Sequence, residues 1–269
     1  MVALFVLVSL ATMSVAGLPG ARLTGMTLGA IALLVAGAAT LNGYLERGID
    51  RRMPRTAGRP LASGRLAPER GLAFGALVSL AGLLLLAAGP GSVSLMLGAA
   101  GLLAYVVVYT LLLKPRIPES VVWGGPAGVF PLLIAWSASG KPWSSALVYC
   151  CLVVFLWSPA HFWSLALARS DEYRGAGVPV LPLVRGEAWT RLLILLQLVL
   201  LSALPLWAVA SGFEQRWLVF VQLAAGVPLV WLAVRLVRGA PPRVAWWLFR
   251  LSGPYLAIVF LALVLARKT

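Results

Sequence analysis

Charge is scarce in this chain, and acid is scarcest of all. Its 269 residues include 22 Lys or Arg and only eight Asp or Glu. That makes 11% charged residues, where a soluble domain typically carries about 25%. The shortage excludes water as the main solvent, and the 61% of hydrophobic residues points to the bilayer instead. Cysteine is limited to the adjacent pair Cys150 and Cys151, which cannot form an ordinary structural bridge with each other and reads as two small buried hydrophobes. Histidine occurs once, at His161.

A helix of about 20 apolar residues crosses roughly 30 Å of hydrocarbon. Nine such runs are expected near 2–18, 26–46, 70–89, 92–113, 119–139, 145–168, 190–210, 216–237 and 245–266. Residues 1–18 have a small-x-small pair at Ser14 and Ala16 but lack the basic start of a secretory signal, so they read as a span. The runs leave no segment for a separate soluble domain. The expectation is therefore an all-α, polytopic membrane helix bundle of about nine transmembrane helices, forming one transmembrane domain over 1–269.

A net charge of +14 could suggest a nucleic-acid partner, but that needs a soluble basic surface, and here the basic residues lie between spans. With the end of the second span in the cytoplasm, all basic residues except Arg22, Lys141, Arg216, Arg267 and Lys268 fall on that side, as do all acids except Glu214. The positive-inside rule then puts the N-terminus in the cytoplasm and the C-terminus outside.

Two long connections on the cytoplasmic side carry carboxylates together with Arg, Gly and Pro. In the first, Asn42, Glu46 and Asp50 recur at every fourth residue, which places three oxygen ligands within an arc of roughly 80° on one helix face. Two acids at a helix C-terminal end need a cationic partner. Arg47, Arg51 and Arg52 could supply it as a salt-bridged, solvated helix end. Alternatively Mg²⁺ could, since it joins one or two carboxylates to substrate phosphates and keeps several waters. The second connection opens on Asp171 and Glu172. Two acidic patches flanked by Arg and Lys would clamp a magnesium diphosphate, with guanidinium forks on the remaining oxygens.

The stretch Asp50-Arg-x-Met-x-Arg-Thr-x-x-Arg-Pro60, following Asn42 and Glu46, resembles the signature of the UbiA-type intramembrane prenyltransferases. Three further segments are similar to the heme O synthase branch of that family. They are Tyr109 to Pro118 leading into Gly124-Gly125-Pro-Ala-Gly128, Pro159-Ala-His161-Phe-Trp163, and Glu172-Tyr173-Arg174 through Pro179 to Pro182. The likeness runs from about residue 25 to 186, and the last three spans match only as apolar helices. Where the family often has Asp, this chain has Glu46 and Gly48, and Gly48 offers no side-chain ligand.

This resemblance implies a UbiA-like bundle embedded in the lipid bilayer of a bacterial inner membrane, with its active site at the cytoplasmic face. It implies Mg²⁺-dependent transfer of farnesyl from farnesyl diphosphate to a vinyl group of heme b, with heme A synthase or oxidase subunits as possible partners. Asn42, Glu46, Asp50 and Glu172 would be metal ligands and catalytic residues, with Asp171 a further ligand candidate. Arg51, Arg55, Arg59, Lys114 and Arg174 would hold the diphosphate. Tyr109 and Tyr173 could bond near the reacting groups or anchor at the interface. His161 could ligate heme iron, or simply bond a carbonyl freed by Pro159. Two other readings stay open: a family member acting on another aromatic or tetrapyrrole acceptor, and a noncatalytic heme-binding assembly protein or transporter.

Overall fold

The computed structural model describes residues 1–212 and 217–266, and their regular structure is entirely helical. In chain order the helices are α1 (Val2–Ala16), α2 (Ala21–Leu45), α3 (Arg47–Arg52), α4 (Pro68–Ala88), α5 (Ser92–Leu102), α6 (Ser120–Trp123), α7 (Phe130–Ala138), α8 (Ser145–Ala168), α9 (Ser170–Ala176), α10 (Leu181–Val184), α11 (Glu187–Ala210), α12 (Trp217–Val237) and α13 (Pro242–Ala266). α5 continues without a break into a π-helical segment, Leu103–Leu113.

Among the described residues seven helices are long and apolar enough to cross a membrane. They are α2, α4, α5 with its π-helical extension, α8, α11, α12 and α13. The first and fifth expected spans are shorter. α1 stops where Gly17 turns to φ 103° ahead of Pro19. The run 119–139 is not one helix but α6, a 3₁₀ stretch Gly125–Val129 and then α7. Pro126 and Pro131 remove two backbone donors there. Gly124 is required by a close approach, because a side chain on it would collide with the Tyr109 ring and lie 2.9 Å from the Ser120 carbonyl.

Small residues let α2 and α4 come together. A Cβ on Gly37 would lie 2.9 Å from the Ser79 nitrogen, and one on Gly82 would lie 3.1 Å from the Ala30 carbonyl. α8 is the central element of the other half: none of residues 149–168 is exposed. It forms one apolar core with inward residues of α11, α12 and α13, among them Val153, Leu198, Leu229 and Phe260. The outward faces carry bare Leu, Val, Phe and Trp, such as Leu77, Leu84, Phe220 and Leu265. In water such faces would be a liability, whereas in hydrocarbon they are the ordinary surface of an integral membrane protein.

Because consecutive spans alternate in direction, α3, the loop 53–67, the connection 114–119, α9 and the loop 177–186 gather at one end of the bundle. A small separate core binds this end together, with Ile49 and Met53 of the first connection packing against Tyr173, Ala176 and Val178 of the second.

Candidate functional site

The helical hydrogen bonding of α2 carries across its nominal end. The Glu46 amide donates to the Asn42 carbonyl at 2.9 Å, and the Asp50 amide donates to the Glu46 carbonyl at 2.8 Å. Asn42, Glu46 and Asp50 therefore keep a common face although the chain bends at Glu46 between α2 and α3. Glu46 and Asp50 are buried, at 6% and 4% exposure.

Each has a cation in hand. Lys114 Nζ lies 2.5 Å from Glu46 Oε1, and Arg59 Nη1 lies 2.9 Å from Asp50 Oδ2. Asn42 Nδ2 donates to Thr110 Oγ1 at 3.2 Å, and Thr56 Oγ1 donates to the Asp50 carbonyl at 3.0 Å. The loop carrying Arg59 is thus tied back to the helix that carries its partner.

Lys114 is aimed by the π-helical segment. A π-helix closes its hydrogen bonds between residues five apart: the Lys114 amide donates to the Tyr109 carbonyl at 2.8 Å, and Thr110 Oγ1 donates to the Tyr105 carbonyl at 2.9 Å. Side chains four and five apart consequently become neighbours on one face, Tyr105 with Tyr109 and Tyr109 with Lys114. The Lys114 ammonium lies 6.0 Å from the centre of the Tyr109 ring, and Tyr105 stacks on Tyr109 at 5.7 Å.

The second acidic patch divides. Glu172 turns inward: its Oε1 lies 3.4 Å from Arg169 Nη1, while its Oε2 is buried with no hydrogen-bond partner. Asp171 turns outward; its side chain is 91% exposed and pairs with Arg174, itself 66% exposed. Asp171 and Arg174 therefore do not share the pocket that sequence reasoning assigned them. Consecutive helical residues point about 100° apart, so two adjacent acids cannot both face inward. Arg51 is turned away too, donating from Nε to the Ala62 carbonyl at 2.7 Å, where it braces the loop.

Tyr173, 4% exposed, lies where the two connections meet. Burial pushes its phenol above the usual value, and the neighbouring Arg55 and Lys114 oppose that rise. The phenol is protonated at neutral pH and free to donate. A cleft of about 200 Å³ opens beside it, lined by Glu46, Ile49, Thr110, Lys114, Val178 and Pro179. Glu119 stands at the start of α6 and pairs with Arg185 at 2.9 Å, linking two loops at this end.

Among the described residues no three acidic, His or Cys side chains converge tightly enough to enclose a metal ion. The donor set nevertheless fits a hard cation that arrives with phosphate oxygens and keeps its waters. Such a cation needs only one or two protein carboxylates, and Glu172 presents a buried oxygen with nothing bound to it.

Comparison with known proteins places the chain as a whole. Residues 2–266 match the UbiA prenyltransferase family. The chain belongs to that family. Among curated UbiA relatives, the protoheme IX farnesyltransferase of Symbiobacterium thermophilum is 40% identical over 256 residues, covering 93% of this chain and 84% of its own. That of Alkalilimnicola ehrlichii is 42% identical over 256 residues, covering 93% and 82%. Among solved structures, the apo UbiA homolog from Aeropyrum pernix K1 superposes with a TM-score of 0.80 at 17% identity, covering all of this chain and 98% of that one. The UbiA homolog from Archaeoglobus fulgidus bound to GPP and Mg²⁺ gives 0.70 at 13% identity, covering 98% and 96%. At such identities the structures establish the shared fold.

Three participants were not singled out from sequence. Thr110 holds Asn42, Arg169 holds Glu172, and Ser252 of α13 meets His161, with its Oγ 2.7 Å from Nδ1. Thr110 lies inside the Tyr109 to Pro118 segment, which was a usable signal. Arg169 counted only as a topological charge, and Ser252 sits in a span with no motif.

Proposed function

We propose that this chain is a membrane-embedded protoheme IX farnesyltransferase. It joins the farnesyl group of farnesyl diphosphate to a vinyl group of heme b, and water completes the hydroxyethylfarnesyl side chain of heme O. The observation that carries this reading is the pairing at one end of the bundle. Glu46, Asp50 and Glu172 each face a different cation, and the connections that bear them pack on one another. The relatives' names give the acceptor and the transferred group.

In this mechanism Asn42, Glu46, Asp50 and Glu172 would hold Mg²⁺, directly or through water. When bound, the metal neutralises charge growing on the departing diphosphate. Lys114 and Arg59, which pair with Glu46 and Asp50, would bind the phosphate oxygens, with Arg55 beside Tyr173 as a further cation. Tyr173 donates from its protonated phenol. The allylic C–O bond breaks and a C–C bond forms at the vinyl group. A water oxygen then adds to the neighbouring carbon and its proton is released. Tyr105 and Tyr109 pack apolar surface beneath the cleft and limit access of bulk water.

By the same reading, the acidic connections face the cytoplasm of a bacterial inner membrane, with the N-terminus inside and the C-terminus outside. Heme O passes on to heme A synthase or an oxidase subunit. The asymmetry of Arg and Lys between the two sides supports this orientation.

The test incubates purified protein with heme b, farnesyl diphosphate and Mg²⁺, with and without chelator, and reads heme O by mass. Product is expected only when metal is present. Asp50→Ala is expected to insert and fold but not turn over. Absence of product from the wild-type protein, or full activity of Asp50→Ala, would overturn the reading.

A further inference from the structure

The seam between α8 and α13 holds polar contacts that the diphosphate site does not use. His161 lies between two rings, with its centroid 4.4 Å from Trp157 and 4.5 Å from Phe249, at interplanar angles of 22° and 32°. Its Nδ1 is 2.7 Å from Ser252 Oγ. Ser252 is fully buried, and its hydroxyl donates to the Phe249 carbonyl at 2.8 Å. A serine hydroxyl has one hydrogen to give. When that hydrogen goes to Phe249, Ser252 Oγ accepts at His161 and Nδ1 carries the ring proton.

Nε2 is then left with a lone pair, and no hydrogen bond engages it among the described residues. The carbonyl freed by Pro159 is not the partner of this histidine. Trp157 Nε1 donates to the Ser252 carbonyl at 2.7 Å, which fixes one side of the sandwich, and the other side is built on the same turn of α13. The two rings and Ser252 together fix the orientation of the imidazole. Phe162, the next residue, meets the Tyr173 ring edge-on at 6.1 Å. His161 lies seven residues below the end of α8, so Nε2 sits roughly 10 Å below that end, deeper in the bundle than the carboxylates.

We infer that Ser252 is a positioning residue that presents His161 Nε2 as an axial ligand to the iron of a porphyrin bound beneath the carboxylates. The inference rests on the farnesyltransferase reading for the identity of that porphyrin as heme b. The arrangement is that of a metal-ligating histidine whose second nitrogen is held by a hydrogen-bond acceptor. Loss of such a partner typically weakens metal binding by about 10- to 100-fold.

The test titrates heme b, and separately iron-free protoporphyrin IX, into the full-length protein in lipid nanodiscs, followed by absorbance and fluorescence. Wild type is expected to give the Soret band of an imidazole-ligated heme. His161→Gly should lose that band and regain it with added imidazole. Ser252→Ala should weaken heme b by about tenfold with little change for protoporphyrin IX, and Ser252→Thr should restore binding.

A wild-type spectrum without an imidazole signature would overturn the inference whatever the variants do. So would an unchanged spectrum in His161→Gly, or equal losses for heme b and protoporphyrin IX, which would mean packing alone. Heme O formation by wild type, measured in parallel, separates the two claims. Turnover without ligation would remove the axial ligand and leave the enzyme, and ligation without turnover would do the reverse.

Discussion

Replacing Lys114 by methionine should tighten binding of the metal alone while weakening binding of metal with diphosphate. The ammonium is 2.5 Å from the Glu46 carboxylate, whose side chain is 8% exposed. A cation seeking Glu46 must displace it. At an effective dielectric near 20, a pair 4 Å apart attracts by about 4 kcal/mol. Discounting by half for the ammonium's partial access to solvent leaves about 2 kcal/mol opposing the metal, or a factor of roughly 30 in affinity. Lys114→Met removes that competitor and keeps the apolar stem. It also removes a cation from the diphosphate, so the two ligands should lose much of their mutual reinforcement, which must be the same seen from either side. The assay is calorimetric titration of Mg²⁺, and of Mn²⁺ with spin-resonance detection, with and without pyrophosphate. Thermal melts supply a second readout, since saturating Mg²⁺ should stabilise the variant more than wild type. Metal binding in Lys114→Met that is weaker than or equal to wild type would refute the argument, because the ammonium would then not compete for the carboxylate.

Three other outcomes are expected. Glu172→Gln should lower heme O formation by at least about tenfold, the weight of roughly 1.4 kcal/mol, whereas Asp171→Ala should change it less than about twofold, because an exposed ion pair is worth about 0–1 kcal/mol; steady-state rates in one membrane preparation decide between them. Gly124→Ala should cost about 1–3 kcal/mol by overpacking and lower both the melting temperature and kcat, since the added methyl drives into the Tyr109 ring. The Tyr173 phenol is raised by burial, so its contribution to stability is fully present below the unfolded tyrosine value of about 10 and is lost only as pH rises beyond it; Tyr173→Phe should therefore leave the pH–rate profile between 6 and 9 unchanged in shape.

Much of this architecture was legible because hydrocarbon imposes a simple rule on composition. Runs such as 145–168 and 92–113 coincide with helices or helical spans in the structure, and the fourfold spacing of Asn42, Glu46 and Asp50 predicts the face they share. The failures have equally physical causes. The run 119–139 is apolar enough for a span, but hydropathy does not register that Gly124, Pro126 and Pro131 divide it. Asp171 and Glu172 are chemically alike and adjacent, and only the orientation of a seven-residue helix decides which turns inward. The small-residue contact of α2 with α4 depends on which stripe faces the neighbour, and Gly37 is the one that does. Ser252 is one hydroxyl in an apolar helix, and its significance appears only when α13 is laid beside α8.

The unusual winding of Leu103–Leu113 governs which way a charge points. Coiled as an ordinary α-helix, the same residues would carry the ammonium of Lys114 roughly 140° around the axis from Tyr109. It would then point away from Glu46, and that buried carboxylate would lose its cation. Eleven residues of widened backbone, with no charged member among them, are thus what keeps a distant acid at the end of another helix electrically balanced.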